Sequence, residues 1–347
     1  MSGMFSFDSL KDPSQRSSGR LNDIDRAKGL AILLVVVGHL VVGPHKPQDN
    51  AWFEQLVVII YSFHMPFFMY LSGFVMLYTF RALDSQRSYF DYCFGKFKRL
   101  APGFLCFAVI ILLGKILASQ FLHVDNQPVG FIQGLVDIIV TPGLSAAKGL
   151  WFIYVLLEFY LLAPLIIYVF GGRPIGLVIF GLALYFLPST PILMLDGAFE
   201  YLIYFGIGAT IAHNYATVEP WLNKYRAVLL LLFAVSLLLL EYSPLAYPVS
   251  KLIIGCLSIP AIHSLVRMAP FSKSKLLIGW GLLSYAIYLM NTIAIGFTKG
   301  LLLRFISWDG TNFLFVGPIL LLAGFYGPIL VKRHILPYVR SIDRITS

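Results

Sequence analysis

The chain has 347 residues and a net charge of +9, yet only 12% of its residues are charged and 58% are hydrophobic. A soluble protein averages about 25% charged residues, so this composition excludes an ordinary soluble domain. Together with a mean hydropathy of +0.80, it predicts a polytopic membrane protein.

Apolar segments along the chain predict an all-α protein with about ten transmembrane helices. The outer loops then contain Lys46, Lys148 and Arg304, and most of the other basic residues lie on the opposite side. Because basic loops stay in the cytoplasm, both termini are predicted to be cytoplasmic. The positive charge is therefore a topology signal and not a sign of nucleic-acid binding. The predicted spans are at about 29–44, 53–79, 101–121, 150–170, 174–192, 198–213, 227–242, 248–267, 276–303 and 312–331.

We predict one membrane domain over residues 1–347. It has a polar cytoplasmic tail at 1–24, a transmembrane core at 25–335 and a second cytoplasmic tail at 336–347. The polar first residues and the lack of a small-residue cleavage site predict no cleavable signal peptide. An amphipathic piece is predicted at 131–140, in an outer loop.

Two further features have little functional content by themselves. The segment "LPSTPILMLDGAFE" at 187–200 is rich in turn residues, so the bounds of the fifth and sixth predicted spans are the least certain. Cys93, Cys106 and Cys256 match no metal-ligand spacing, so we predict free thiols and no metal site.

The stretch "AKGLAILLVVVGHL" at 27–40 carries an ionisable group at each end of an apolar run, Lys28 and His39. In an α-helix, eleven residues correspond to about 1100°, so both side chains lie on one face, separated by a rise of roughly 16 Å. This places His39 near the middle of the membrane if Lys28 is at the inner boundary. Such a face must contact protein or water. Lys28 can also be explained as a snorkelling residue, and His39 as a packing histidine.

The stretch "SFHMPFFMYLSGF" at 62–74 brings a second imidazole, His64, into the membrane. Pro66 lies two residues later and is predicted to interrupt the helical hydrogen-bond ladder of the second span. The aromatic residues around it are ordinary packing residues.

Three later segments carry further polar candidates. The segment "KFKR" supplies Lys96, Lys98 and Arg99, which either mark the cytosolic side or bind an anion. Trp151 and Glu158 are seven residues apart, on one helix face, and form either a polar stripe for a sugar or a packing stripe. Tyr288 and Asn291, in the ninth predicted span, share a face that can line the same cavity.

These segments carry a family resemblance. "D-x-x-K-G" at 25–29 with "AILLVVVGH", followed by "FHMPFFMYLSG", resembles the acyltransferase-3 family of integral membrane O-acyltransferases, and most closely its sugar (fucose 4-O-) acetylase branch. The similarity continues, in family order, through "KFKRLAP", "LWFIYVLLEFYLLAP" and "LSYAIYLMN".

The resemblance implies a ten-helix enzyme that moves an acyl group, usually acetyl, from cytosolic acyl-CoA to a hydroxyl of a glycan. It implies that His39 is the catalytic residue and that Lys28 is the basic residue eleven positions before it. Four positions depart from the family pattern. Lys28 replaces a common arginine, Leu156 and Leu157 replace carboxylates, and Asn291 replaces a histidine found in several members.

We therefore predict an O-acetyltransferase of the bacterial inner membrane, with His39 as general base. Acetyl-CoA is the predicted donor, its phosphates bound by Lys28, Arg26, Lys96, Lys98 and Arg99, and no cofactor is permanently bound. The acceptor is an envelope polysaccharide or lipid-linked glycan, contacted by His64, Trp151, Glu158, Tyr288 and Asn291. The partners are thus acetyl-CoA, this glycan and the bilayer.

The alternative is a secondary transporter in which His39, His64, Glu158 and Lys251 form an ion or proton relay. The lack of a recognisable inverted repeat counts mildly against it. A non-catalytic membrane scaffold would leave the stripe of Lys28 and His39 unexplained.

Overall fold

The computed structural model describes residues 21–40, 50–80, 86–121, 124, 126–240 and 247–346. These residues form helices joined by short 3-10 turns and loops, with no β-strand in that part of the chain, which confirms the all-α class. The polar tail at 1–20 and the predicted end of the first span at 41–44 lie outside the described residues. The helices are α1 (Asn22–His39), α2 (Ala51–Tyr78), α3 (Gln86–Ala118), α4 (Phe131–Val140), α5 (Trp151–Val169), α6 (Ile175–Tyr185), α7 (Leu195–His213), α8 (Tyr215–Leu238), α9 (Tyr247–Leu265), α10 (Lys275–Leu282), α11 (Ser284–Leu302), α12 (Phe313–Leu330) and α13 (Arg340–Ile345).

Within the described residues, seven helices are long and apolar enough to cross a membrane: α2, α3, α5, α7, α8, α9 and α12. The pair α10 and α11 makes an eighth if it is taken as one span. The predicted count of ten is therefore not confirmed. Helix α1 carries four charged residues near its start, and α6 has only 11 residues, about 16 Å of helix against a hydrocarbon core of about 30 Å.

Three local expectations meet different outcomes. Helix α4 coincides with the amphipathic piece predicted at 131–140. The segment between the second and third predicted spans, at 80–100, is largely helical, because α3 begins at Gln86 and runs for 33 residues. At about 50 Å this helix is longer than a membrane is thick, so one end extends beyond the lipid. Pro66 lies inside α2, which continues on both sides of it.

The ninth predicted span is a broken helix. Helices α10 and α11 meet at Leu283 and are bent by 77° relative to each other. The break falls within the segment "LSYAIYLMN", so α11 begins just before its polar face, which includes Tyr288 and Asn291.

Helices α1 and α10 are in backbone contact. Gly29 of α1 lies so close to Leu277 that a Cβ atom there would overlap the Leu277 carbonyl. Gly281 of α10 meets the carbonyl of Asp25 in the same way. Glycine is needed at both positions because any side chain would push the two helices apart.

A pair of alanine substitutions in α10 tests this contact. Gly281→Ala is expected to destabilise the protein by about 1–3 kcal/mol, because its Cβ overlaps the backbone of α1. Gly279→Ala is the matched control, since a Cβ at Gly279 meets no atom within 4 Å. It should leave stability unchanged or slightly raised. Thermal unfolding in detergent measures both, and equal midpoints for the two variants would contradict the close packing.

The start of α1 is held by a buried polar cluster. Asp23 accepts hydrogen bonds from Tyr215 of α8 and from Arg267, which follows α9. His263 Nε2 lies 3.3 Å from Asp23 Oδ2, and His263 Nδ1 lies 2.6 Å from the Tyr70 hydroxyl of α2. Burial by itself would raise the pKa of Asp23, but the hydrogen bonds from His263 and Tyr215 and the charge of Arg267 hold it well below its usual range. The cluster therefore ties α1 to three other helical segments.

Removing the charge of Asp23 tests the cluster. Asp23→Asn is expected to cost about 2–3 kcal/mol at pH 7, since hydrogen bonds to a buried charged group are lost. The lowered pKa means that the carboxylate stabilises the fold at neutral pH and that this contribution is lost as the pH falls through the acidic range. The gap in unfolding midpoint between Asp23→Asn and the wild type should therefore narrow on acidification.

Glu219→Gln is the matched control. Glu219 also pairs with Arg267, but its side chain is 43% exposed, so its ion pair contributes little. A loss of stability in Glu219→Gln as large as in Asp23→Asn would contradict a special role for Asp23.

Candidate active site

The two ionisable residues predicted to share a helix face, Lys28 and His39, lie on one unbroken helix, α1. Lys28 Nζ lies 3.8 Å from Asp25 Oδ1, and the Lys28 side chain is 27% exposed. The Nε atom of Arg26 is buried without a hydrogen-bond partner among the described residues. The start of α1 therefore places two cationic side chains, Arg26 and Lys28, beside the polar cluster.

His39 ends α1 and points into the protein. Its Nδ1 atom lies 2.6 Å from Oδ1 of Asn291 on α11. Asn291 is fully buried, and its Nδ2 donates to the carbonyl oxygens of Ile287 at 3.0 Å and Tyr288 at 2.8 Å. The His39 ring is therefore held between two helices and is not directed at lipid, as the cost of an imidazole in a membrane requires.

The second imidazole, His64, lies near the first. It is 2% exposed, and its Nδ1 donates to the Ile60 carbonyl at 2.8 Å. Its ring centroid is 4.8 Å from that of Tyr61, whose hydroxyl donates to the Gly38 carbonyl at 3.4 Å, one residue before His39. His64 is also close enough to His39 to interact with it electrostatically. The structure thus brings the two membrane histidines together through α1 and α2.

The predicted stripe on α5 faces α7 at one end. The Trp151 ring lies 5.1 Å from the Tyr201 ring, at an interplanar angle of 36°. Farther along the helix, one carboxylate oxygen of Glu158, Oε2, is buried with no hydrogen-bond partner in the described part of the chain. An aromatic surface and an unsatisfied carboxylate oxygen are groups that bind sugar rings and hydroxyls.

Tyr288 lies between α11 and the start of α5. Its hydroxyl donates to the Gly149 carbonyl at 2.8 Å and accepts from the Phe152 amide at 3.2 Å. Its ring packs edge-on against Phe152. These contacts give Tyr288 a clear role in joining the two helices.

The basic segment of α3 lies on a different pair of helices. Helix α1 packs mainly on α10, whereas α3 packs mainly on α5. Lys96 lies over the rings of Tyr92 and Tyr160, at 5.4 and 4.7 Å from their centroids. Lys98 and Arg99 are exposed. The cations predicted to bind one donor therefore form two groups, Arg26 and Lys28 on α1 and the three residues of α3.

Sequence reasoning missed an ion pair on the α7 side of this region. Lys251 Nζ of α9 lies 2.5 Å from Glu200 Oε1 of α7, and Lys251 also lies 5.9 Å from the Tyr201 ring. The pair therefore adjoins the contact between Trp151 and Tyr201. A lysine within an apolar span was the available signal, but Glu200 lies at the end of the segment 187–200, where the predicted spans are least certain.

An apolar cavity of about 320 Å³ lies between α1 and the segment from Pro270 to Trp280. Leu30, Leu33 and Leu277 are among its wall residues, and none of the predicted site residues lines it. Its walls offer no cation for a phosphate, so it is distinct from the candidate site.

Cys93, Cys106 and Cys256 are free thiols. Within the described ranges, no three side chains of His, Cys, Asp or Glu are grouped so that they could hold a metal ion.

Comparison with known proteins gives the family. Residues 21–333 match the acyltransferase-3 family model, described as an acyltransferase domain. The nodulation protein NolL of Sinorhizobium fredii (strain NBRC 101917 / NGR234) is 29% identical over 142 residues. This match covers 41% of the chain and 35% of NolL, so the chain spans about a third of this relative's length. No solved structure matches the chain. Because the family model covers most of its length, from the first described helix to the end of α12, the chain belongs to the acyltransferase-3 family of membrane acyltransferases.

Proposed function

We propose that the protein is an O-acetyltransferase of the bacterial inner membrane that uses His39 as general base. The acetyl group comes from cytosolic acetyl-CoA, and the acceptor is a hydroxyl of an envelope polysaccharide or lipid-linked glycan. The observation that carries the proposal is the His39 ring, held by Asn291 between α1 and α11 on the helix that carries Lys28. Membership of an acyltransferase family favours this function over the transporter predicted as the alternative.

The donor is proposed to bind at the basic ends of α1 and α3. Coenzyme A carries phosphates, which Lys and Arg bind through charge-assisted hydrogen bonds. Lys28 lies on the face of α1 that carries His39, and Arg26 lies two residues before it, while Lys96, Lys98 and Arg99 lie on the part of α3 predicted to be cytosolic. The two groups suit the separate phosphates at the nucleotide end of the donor, with α1 leading its thioester arm towards the imidazole.

The acceptor is proposed to bind on the other side of His39. Trp151 with Tyr201 provides an aromatic surface for a sugar ring, and the unsatisfied oxygen of Glu158 can accept a hydrogen bond from a hydroxyl. The neighbouring pair of Lys251 and Glu200 adds a donor and an acceptor.

In the proposed reaction the His39 imidazole takes the proton of the acceptor hydroxyl while that oxygen attacks the thioester carbon. The new C–O bond forms as the C–S bond breaks, and the departing sulfur of coenzyme A takes the proton from the imidazolium. The products are the acetylated glycan and free coenzyme A.

Replacing the imidazole tests this function. His39→Ala should lower acetyl transfer by about 10²–10⁴-fold, the usual contribution of a general base. The assay combines release of free thiol from acetyl-CoA with mass spectrometry of the glycan, using purified protein in detergent. Ser284→Ala on α11 is a suitable control, since its hydroxyl bonds only to the Gly281 carbonyl in the described contacts. A folded His39→Ala protein with wild-type activity would refute the mechanism.

Removing a cation from α1 tests the donor site. Lys28→Ala should raise the KM for acetyl-CoA by roughly tenfold, the effect of losing about 1.4 kcal/mol of binding to a phosphate, and should change the KM for the acceptor much less. Lys275→Ala, at an exposed lysine outside the proposed site, is the matched control. The reverse pattern, with the acceptor KM raised instead, would remove Lys28 from the donor site.

A further inference from the structure

We infer that Asn291 is a positioning residue that fixes the tautomer of His39, so that Nε2 is the nitrogen that takes the proton. The inference rests on the proposed function, because it assigns an atom to the base. It also gives Asn291 a role different from the substrate contact predicted from the sequence.

The orientation of the Asn291 amide follows from its partners. A carboxamide has one oxygen, which accepts hydrogen bonds, and one nitrogen with two N–H donors. The nitrogen faces the carbonyl oxygens of Ile287 and Tyr288, which can only accept. Turning the amide over would bring its oxygen against two carbonyl oxygens in a fully buried place. The oxygen of Asn291 must therefore face His39.

The protonation of His39 follows from the orientation of Asn291. The amide oxygen cannot donate, so the 2.6 Å contact requires a hydrogen on Nδ1 of His39. A neutral imidazole carries only one N–H group, which leaves Nε2 with a free lone pair. The Nδ1–H bond can persist when Nε2 takes a proton, because the imidazolium donates from both nitrogens.

The position of Asn291 on α11 is itself fixed by contacts with another helix. One of its carbonyl partners belongs to Tyr288, whose hydroxyl bridges the Gly149 carbonyl and the Phe152 amide at the start of α5. The turn of α11 that carries Asn291 is thus anchored to a second helix. A base held by partners that are already in place loses little free energy to reorientation when it reacts.

Two titratable side chains of α2, His64 and Tyr61, lie close to His39 and Asn291. They are the other groups to consider as hydrogen-bond partners of His39. His64 interacts electrostatically with His39, but its own Nδ1 is used by the Ile60 carbonyl. Tyr61 donates to the Gly38 carbonyl. Neither of these described contacts occupies Nδ1 of His39, which is bonded to Asn291.

The tautomer can be measured on the intact wild-type protein. Labelling the histidines with ¹⁵N and comparing the spectrum with that of His39→Ala identifies the two ring nitrogens of His39. We expect Nδ1 to be protonated and Nε2 to be unprotonated near neutral pH. The opposite tautomer would overturn the inference, and this readout does not depend on activity or on a variant of Asn291.

Kinetics supply the second test. Asn291→Leu keeps a similar volume and removes the acceptor, so kcat should fall about 10–100-fold while the KM values for acetyl-CoA and the glycan change less than about threefold. Thr292→Val is the matched control, since the Thr292 hydroxyl has no hydrogen-bond partner among the described residues. A folded Asn291→Leu protein with wild-type kcat would overturn the inference.

The experiments distinguish a failure of the proposed function from a failure of the role of Asn291. An active His39→Ala protein would refute the proposed function, whatever Asn291 does. An inactive His39→Ala protein together with a fully active Asn291→Leu protein would leave the general base in place and refute only the role of Asn291.

Discussion

The structure depends on the hydrogen bond between His39 and Asn291. An imidazole within a membrane is costly unless protein surrounds and satisfies it, and here one buried amide does so across two helices. Nearer the start of α1, Gly29 and Gly281 let α1 contact the backbone of α10, which is the other half of the broken helix. Both halves of the broken helix thus press against α1, one through backbone contact and the other through a side-chain hydrogen bond. Together they fix the position and the rotation of the His39 ring, the proposed general base.

Two groups of polar side chains lie in different parts of the helix bundle, one purely cationic and the other mixed. Cations that suit a phosphate lie at the basic ends of α1 and α3, where the membrane protein has its predicted cytosolic face. The remaining polar groups of the candidate site are mixed, with imidazole, amide, carboxylate and ammonium contributed by different helices. His64 and the pair of Lys251 and Glu200 belong to this second group. This division is consistent with the proposed transfer of an acetyl group from an anionic donor to a hydroxyl.

Much of the fold could be predicted from apolar runs, because lipid demands long hydrophobic helices and the periodicity of α1 alone places Lys28 and His39 on one face. The prediction failed where a structure depends on partners distant in sequence. The bend at Leu283 and the pairing of Lys251 with Glu200 leave no local periodic signal. The orientation of the Asn291 amide could not be predicted from the sequence either, because it depends on the atoms that the amide contacts in the folded protein. Residue types identified the candidate site, but only tertiary contacts distinguish a substrate ligand from a side chain that orients another.

The buried cluster at Asp23 has a consequence for how the protein is made. Asp23 finds its partners at Tyr215, His263 and Arg267, which lie 192 to 244 residues later in the chain. Since translation proceeds from the N-terminus, the first described helix leaves the ribosome long before the groups that neutralise its polar end exist. The polar start of α1 therefore reaches its final packing only after the chain has been made as far as Arg267.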